Sequence, residues 1–314
     1  MNRREFLQSG CLATLSTLVL GCEYKSYFGY SEIDREKALN YHHDHSPNAK
    51  KVLLIGIDGV RPDALEAAKT PHLDKLIAQS AYSYCAQTDE NTLSGPGWSN
   101  ILTGVWSQKH GVTDNFFIGE NYHNYPSFFT RLEQLRPELY TISAVSWRPI
   151  NNHIIPIADK KYTYYDSEGD LKVTRDAIRI LSQEDPDVLF IHFLDVDLAG
   201  HNYGFHPSVP RYLKEIEDVD KQIGSVLRAL YQRKNYPHED WLVLCTTDHG
   251  GRIDGHGDNV PEDRTIFYIL NGKSVIRGKL DPPPHQVDIV PTILKHLQIP
   301  IDPAWGLDGR VRGL

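Results

Sequence analysis

At 314 residues the chain has room for one large domain or two small ones, and its 40% apolar and 24% charged residues are ordinary for a globular protein. A formal charge of −8 leaves no basic excess to neutralise nucleic-acid phosphates, which excludes duplex binding as the main task. A small anionic substrate is not excluded, because bound cations reverse the local sign.

The first 22 residues read as a targeting segment. Arg3-Arg4 precedes a modestly apolar stretch that ends Val19-Leu20-Gly21-Cys22. Twin arginines before a weak apolar run resemble a signal for bacterial export of folded proteins, and the Cys22 ending resembles a lipoprotein cleavage box. The expectation is export to the bacterial cell envelope with a membrane anchor on lipidated Cys22. An uncleaved membrane helix is the competing reading, but the apolar stretch is too short to span a bilayer comfortably. Residues 23–50 are polar and irregular and read as a tether; the cluster His42-His43-Asp44-His45 fits an exposed linker or a metal trap.

From Lys51 to Leu314 the pattern is that of a single domain. Apolar runs recur as KVLLIGID, AYSYCAQT, TISAVSW, DVLFIHFLD, WLVLCTTD and TIFYILNG, several of them continuous rather than alternating. Continuous runs fit strands covered on both faces. Helical periodicity fills the gaps at Val173–Leu181, Val209–Arg233 and Val287–Leu297. Alternation of this kind predicts an α/β fold with a mainly parallel central sheet flanked by helices on both faces. Cys85 and Cys245 sit inside apolar runs and are expected to be buried thiols.

Polar residues gather where those runs end: Asp58 after the first, Asp195 and Asp197 after DVLFIHFL, Asp248-His249 after WLVLCTT. Ligands of open parallel sheets bind beyond the carboxyl ends of strands, so residues placed there by separate strands converge on one crevice. Asp58 alone reads equally well as a turn or cap residue. Asp197 and His201, four apart with Gly200 between, can approach one ion from a tight turn. His256 follows Asp248-His249 by a short loop. In Thr92-Leu-Ser94-Gly-Pro-Gly-Trp98-Ser99, a hydroxyl at a Gly/Pro turn opening a helix would meet amide donors that favour an anion. Spacing leaves Thr92, Ser94 and Ser99 all open as nucleophiles.

These stretches, in order, resemble the alkaline phosphatase superfamily, and within it the nucleotide pyrophosphatase/phosphodiesterase-like branch. The matching segments are GIDGVRPDAL (56–65), TPHLDKL (70–76), TLSGPGWSNILTGVWSQKHGVTDN (92–115), DVDLAGHNYG (195–204), TTDHGG (246–251), GHGDN (255–259) and VDIVPTIL (287–294). The resemblance implies an alkaline phosphatase-like fold and two divalent metal ions. Asp197, His201 and His256 would hold one; Asp58, Asp248 and His249 would hold the other, with the Ser94 oxygen. Counting back from Thr103-Gly104 places the family nucleophile on Ser94, where phosphodiesterase relatives usually carry threonine, and Asn115 matches the asparagine that donates to a phosphoryl oxygen. His285 is not carried over. Imidazole with carboxylate favours zinc, with manganese or iron as alternatives.

The implied function is hydrolysis of small-molecule phosphate esters, a phosphodiesterase working through a phosphoserine on Ser94. Alternatives are a phosphomonoesterase, a phosphonate or sulfate ester hydrolase, and a non-catalytic surface lipoprotein. A sulfatase needs arginine at the place of Trp98. A monoesterase clamp has no clear counterpart beyond Arg148 or Arg252, and Trp98 and Phe116 are expected to line an apolar wall for a diester substituent.

Overall fold

The computed structural model describes residues 49–314. The expected signal, the anchor at Cys22 and the His42–His45 cluster lie outside the described residues. Ala49, the first described residue, is also the first residue of the first strand.

Eight strands form one sheet: β1 (Ala49–Ile57), β2 (Ala81–Gln87), β3 (Thr141–Val145), β4 (Lys160–Thr163), β5 (Val188–Phe193), β6 (Glu239–Thr246), β7 (Thr265–Asn271) and β8 (Gly278–Lys279). Their spatial order is β4-β3-β5-β1-β6-β7-β2-β8. All pairings are parallel except those of β7, which runs antiparallel to both β6 and β2. Because β7 reverses between them, β2 points the same way as β1, β5 and β6, and all four deliver their carboxyl ends to one edge.

The central strands read as continuous apolar runs because both faces are covered. In β1, Leu53, Ile55 and Ile57 enter one core, whereas Val52 and Leu54 enter the other. The first core lies under α1 (Pro62–Ala67), α2 (Pro71–Ile77), α5 (Gly169–Gln183), α6 (Asp195–Tyr203) and α7 (Pro210–Tyr231); the second lies under α3 (Ser94–Thr103), α4 (Phe128–Leu135) and α8 (Ile289–His296). Each such aliphatic side chain, removed fully from water, contributes about 1.5–3 kcal/mol.

Two expectations are corrected. Cys85 is exposed, because β8 covers β2 only at Ala81 and Tyr82 and a register shift between Ser83 and Ala86 turns the strand outward; Cys245 is buried as expected. Asp197 and His201 stand on a helix rather than a tight turn: α6 starts directly after β5, and its i,i+4 spacing sets both side chains on one face.

Candidate metal centre and nucleophile

Three strand ends and one helix start build the site. Asp58 leaves β1, Asp248 and His249 leave β6, α6 follows β5 and carries Asp197 and His201, and Ser94 opens α3 after β2. Gly59 makes the approach possible: its φ is +67°, and a Cβ there would lie 2.6 Å from an Asp197 carboxylate oxygen.

Asp58, Asp248 and His249 are completely buried. His249 Nε2 is the point on which this group converges. It lies 3.2 Å from Ser94 Oγ, 3.2 Å from Asp248 Oδ2 and 3.4 Å from Asp58 Oδ1. Its other ring nitrogen donates to the Gly250 carbonyl at 2.8 Å, so Nε2 presents a lone pair. Burial, with the neighbouring His256, pushes the His249 imidazole down to about 3, which keeps it neutral. Two buried carboxylate oxygens, Asp58 Oδ1 and Asp248 Oδ2, are left with no hydrogen-bond partner. A lone pair and two orphaned carboxylate oxygens facing one another form a donor set for a cation.

The second group repeats this logic nearer to solvent. His201 Nδ1 donates to the Asp254 carbonyl and His256 Nδ1 to the Thr92 carbonyl, each at 2.8 Å. Their Nε2 atoms therefore point lone pair at lone pair across 3.1 Å, beside Asp197 Oδ2 (3.5 Å from His201) and Asp197 Oδ1 (3.6 Å from His256). Such an arrangement repels itself until a positive charge enters. Backbone carbonyls that fix the far nitrogen of each imidazole are the usual support of metal-binding histidines. His249 stacks on His256 at 3.6 Å between ring centroids and joins the two groups. Donor atoms of Asp197, His249 and His256 lie within 4.8 Å of one another, as do those of Asp58, Asp248 and His249.

Burial drives the Asp197 and Asp248 carboxyls well above their ordinary range, with the Asp58 charge adding to it. Asp58 goes the other way. Burial raises it too, but the hydrogen bond from His192, the neighbouring imidazoles and the Trp98 bond outweigh that and hold it at about 2.

The three candidate hydroxyls now separate. Thr92 Oγ1 donates to the Asp258 carbonyl and accepts from Gly257 N–H, while Ser99 Oγ donates to the Gly95 carbonyl and pairs with Tyr122. Ser94 alone of the three meets the cluster. Asn115 Oδ1 accepts from Gly95 N–H at 2.7 Å, which leaves its Nδ2 hydrogens free to donate at the start of α3. Asp195 belongs to neither candidate donor group, and burial with the charge of Asp170 raises its carboxyl to about 7. His285 caps the turn before α8, its N–H bonded to Asp288.

Trp98 is not an apolar wall. It is wholly buried, and its indole N–H donates to Asp58 Oδ2 at 2.9 Å, because Gly56 leaves space where a Cβ would lie 2.3 Å from the ring. His192 donates to the same oxygen at 3.1 Å, so Asp58 turns its other oxygen to His249. Neither role is visible in the sequence, although a lone histidine within the apolar run DVLFIHFLD is a signal. Asp170, also missed, accepts from the N–H groups of Leu194 and Asp195 and seats the start of α6. Arg252 bonds to Asp258 and Arg148 lies over the Tyr165 ring, contacts that turn both away from a phosphate clamp.

The family model described as type I phosphodiesterase / nucleotide pyrophosphatase matches residues 52–254. The mouse bis(5'-adenosyl)-triphosphatase enpp4 is 25% identical over 221 residues, covering 65% of this chain and 47% of the relative. The catalytic subunit of human GPI ethanolamine phosphate transferase 2 is 26% identical over 276 residues, covering 81% of this chain and 27% of the relative. The chain thus spans about half the length of the first and about a quarter of the second. Murine ectonucleotide pyrophosphatase / phosphodiesterase 5 shares the fold, with a TM-score of 0.66 at 14% identity over 80% of this chain and 96% of that one. An inactive form of that protein has been solved with AMP.

Proposed function

The chain belongs to the type I phosphodiesterase / nucleotide pyrophosphatase family, and from that premise we propose that it is a two-metal hydrolase of phosphate diesters with Ser94 as nucleophile. One observation carries the reading: Ser94 Oγ and the two orphaned oxygens of Asp58 and Asp248 meet at the lone pair of His249.

Asp58, Asp248 and His249, with Ser94, would hold one divalent ion, and Asp197, His201 and His256 the other; zinc suits this mixture of imidazole and carboxylate best. Bound there, such ions would lower the pKa of the serine hydroxyl, neutralise the phosphate and stabilise the leaving oxygen. Ser94 gives its hydroxyl proton to solvent and its oxygen attacks phosphorus in line; the bond from phosphorus to the first alcohol's oxygen breaks as the phosphoserine forms, and that oxygen takes up a proton from water. Water then cleaves the phosphoserine from the opposite side. Asn115 Nδ2 donates to a non-bridging oxygen as charge builds there, a contact whose loss costs about 10²–10³ in kcat. Trp98 and His192 hold Asp58 in the orientation the group requires.

The test compares bis-p-nitrophenyl phosphate with p-nitrophenyl phosphate, on zinc-loaded chain from residue 23 onward. The diester should be turned over faster, and Ser94→Ala should lower kcat at least about 1000-fold with metal content unchanged. Faster monoester turnover would move the protein to the phosphomonoesterase alternative. No turnover of either ester would leave a surface binding protein. Export and anchoring at Cys22 belong to the same proposal: labelled palmitate should enter the full chain and fail to enter Cys22→Ser.

A further inference from the structure

Single apolar side chains in water are normal on any protein surface; their concentration on one side is informative. Among the described residues eleven large apolar side chains are exposed. Phe116 and Ile118, each 78% exposed, lie one and three positions after Asn115. Ile253, 74% exposed, stands in the loop between His249 and His256. Leu198 and Tyr203 project from α6. Tyr165 follows the carboxyl end of β4, and Leu171 lies at the start of α5, where Asp170 binds α6. All seven are at the end of the sheet where the site opens. Leu135, Tyr231 and Ile276 are at the opposite end, and Val311 lies beside α8.

Two further observations mark this end. Ile253 has φ +54°, a conformation that strains a β-branched residue and suits glycine or asparagine; the bond from Phe205 N–H to its carbonyl at 2.7 Å helps hold it there. The fold thus displays isoleucine where a smaller residue would sit more easily. Two exposed arginines lie over aromatic rings, Arg148 over Tyr165 at 5.8 Å and Arg211 over Tyr203 at 4.6 Å. Aromatic rings with cationic partners belong at the headgroup level of a bilayer, and apolar tips belong just below it.

We infer that the site end of the domain docks on a phospholipid bilayer, with Phe116, Ile118 and Ile253 entering the interface and Arg148 and Arg211 at the lipid phosphates. Docking so placed turns the metal cluster toward the headgroup layer. It does not depend on the reaction proposed above, nor on Cys22. Because the chain carries a formal charge of −8, apolar insertion rather than net attraction provides the binding, which therefore persists in high salt.

The chain from residue 23 keeps both cores and all eight strands of the described residues and lacks the apolar stretch before Cys22. Its partitioning onto phosphatidylethanolamine/phosphatidylglycerol vesicles is measured by co-sedimentation at low and high salt. Ile118→Asp/Ile253→Asp should reduce partitioning at least about tenfold. Phe116→Asp/Ile118→Asp, which leaves the strained loop intact, should do the same. Leu135→Asp/Ile276→Asp, at the other end, should bind as the parent does. Thermal unfolding checks that each variant is folded. Equal loss in all three variants, or loss in none, overturns the inference. So does a parent dimer that becomes monomeric in the site-end variants while vesicle binding is unchanged, since the apolar end would then cover a second copy of the chain.

Discussion

The two halves of the site use the same chemistry at different depths. Asp58, Asp248 and His249 have no exposed surface, whereas on the other side the His201 side chain is 42% exposed beside Asp197 and His256 at 8% and 5%. Charge in the inner half cannot be screened by water, so its carboxylates need a cation merely to coexist. In the outer half water reaches His201, so an ion bound there would exchange while the fold stands. On the two-metal reading the inner half would couple metal to folding, and the outer half would couple it to solvent and substrate.

The sharpest test of that division removes one imidazole from each half. His249 serves both donor groups, so His249→Ala should leave less than one zinc per chain and no measurable turnover at any zinc concentration. His201→Ala should keep the inner ion, lose the outer one on dialysis, and regain much of its activity in excess zinc. Inductively coupled plasma analysis beside a zinc titration of activity reads both. Equal behaviour of the two variants would mean that the halves load as one unit.

A smaller effect should change sign. Asp248 Oδ1 accepts from Gly59 N–H at 3.3 Å, a bond that asparagine can keep. Asp248→Asn therefore removes charge with little change of shape. In chelator at pH 8 it should raise Tm by about 3–8 °C, because asparagine avoids the cost of burying that carboxyl, whether as a charge beside Asp58 or by taking up a proton; loaded with zinc it should lower Tm by a similar amount. A drop under both conditions would show that the inner carboxylates are at ease without metal.

Much of this architecture is legible in the sequence because strand and ligand coincide. KVLLIGID is a buried strand that ends on Asp58, and TTDHGG leaves a second strand with Asp248 and His249 in the same manner, so the location of the candidate donors is read with the strands. The direction of β7 is not legible, since TIFYILNG has the composition of its parallel neighbours and apolar pattern carries no polarity. The place of Trp98 is hidden for a related reason: its role depends on the room at Gly56, forty-two positions away, and on an indole N–H that reaches Asp58. His192 and Asp170 likewise act through contacts that only the assembled sheet creates.

The finest test uses pH. In metal-free protein burial raises the Asp197 and Asp248 carboxyls, so the folded form keeps protons that the unfolded chain releases near its ordinary carboxylate range. Stability from those groups is complete at low pH and declines as pH rises toward their folded values. His249, held at about 3, acts in the opposite sense, but its contribution is lost only as pH falls below the ordinary imidazole value of about 6.5. Above the imidazole range the curve is sloped by the raised carboxyls, Asp195 at about 7 among them. Chelated protein should lose about 2–4 °C of Tm per pH unit while Asp197 and Asp248 keep their protons, whereas zinc-loaded protein, with those two carboxylates ionised on both sides of the transition, should keep only the shallower slope that Asp195 contributes. The gap between the two melting curves should widen with pH. A constant gap would mean that water entering past His201 already relieves both carboxylates, and that the inner half is less sealed than its burial implies.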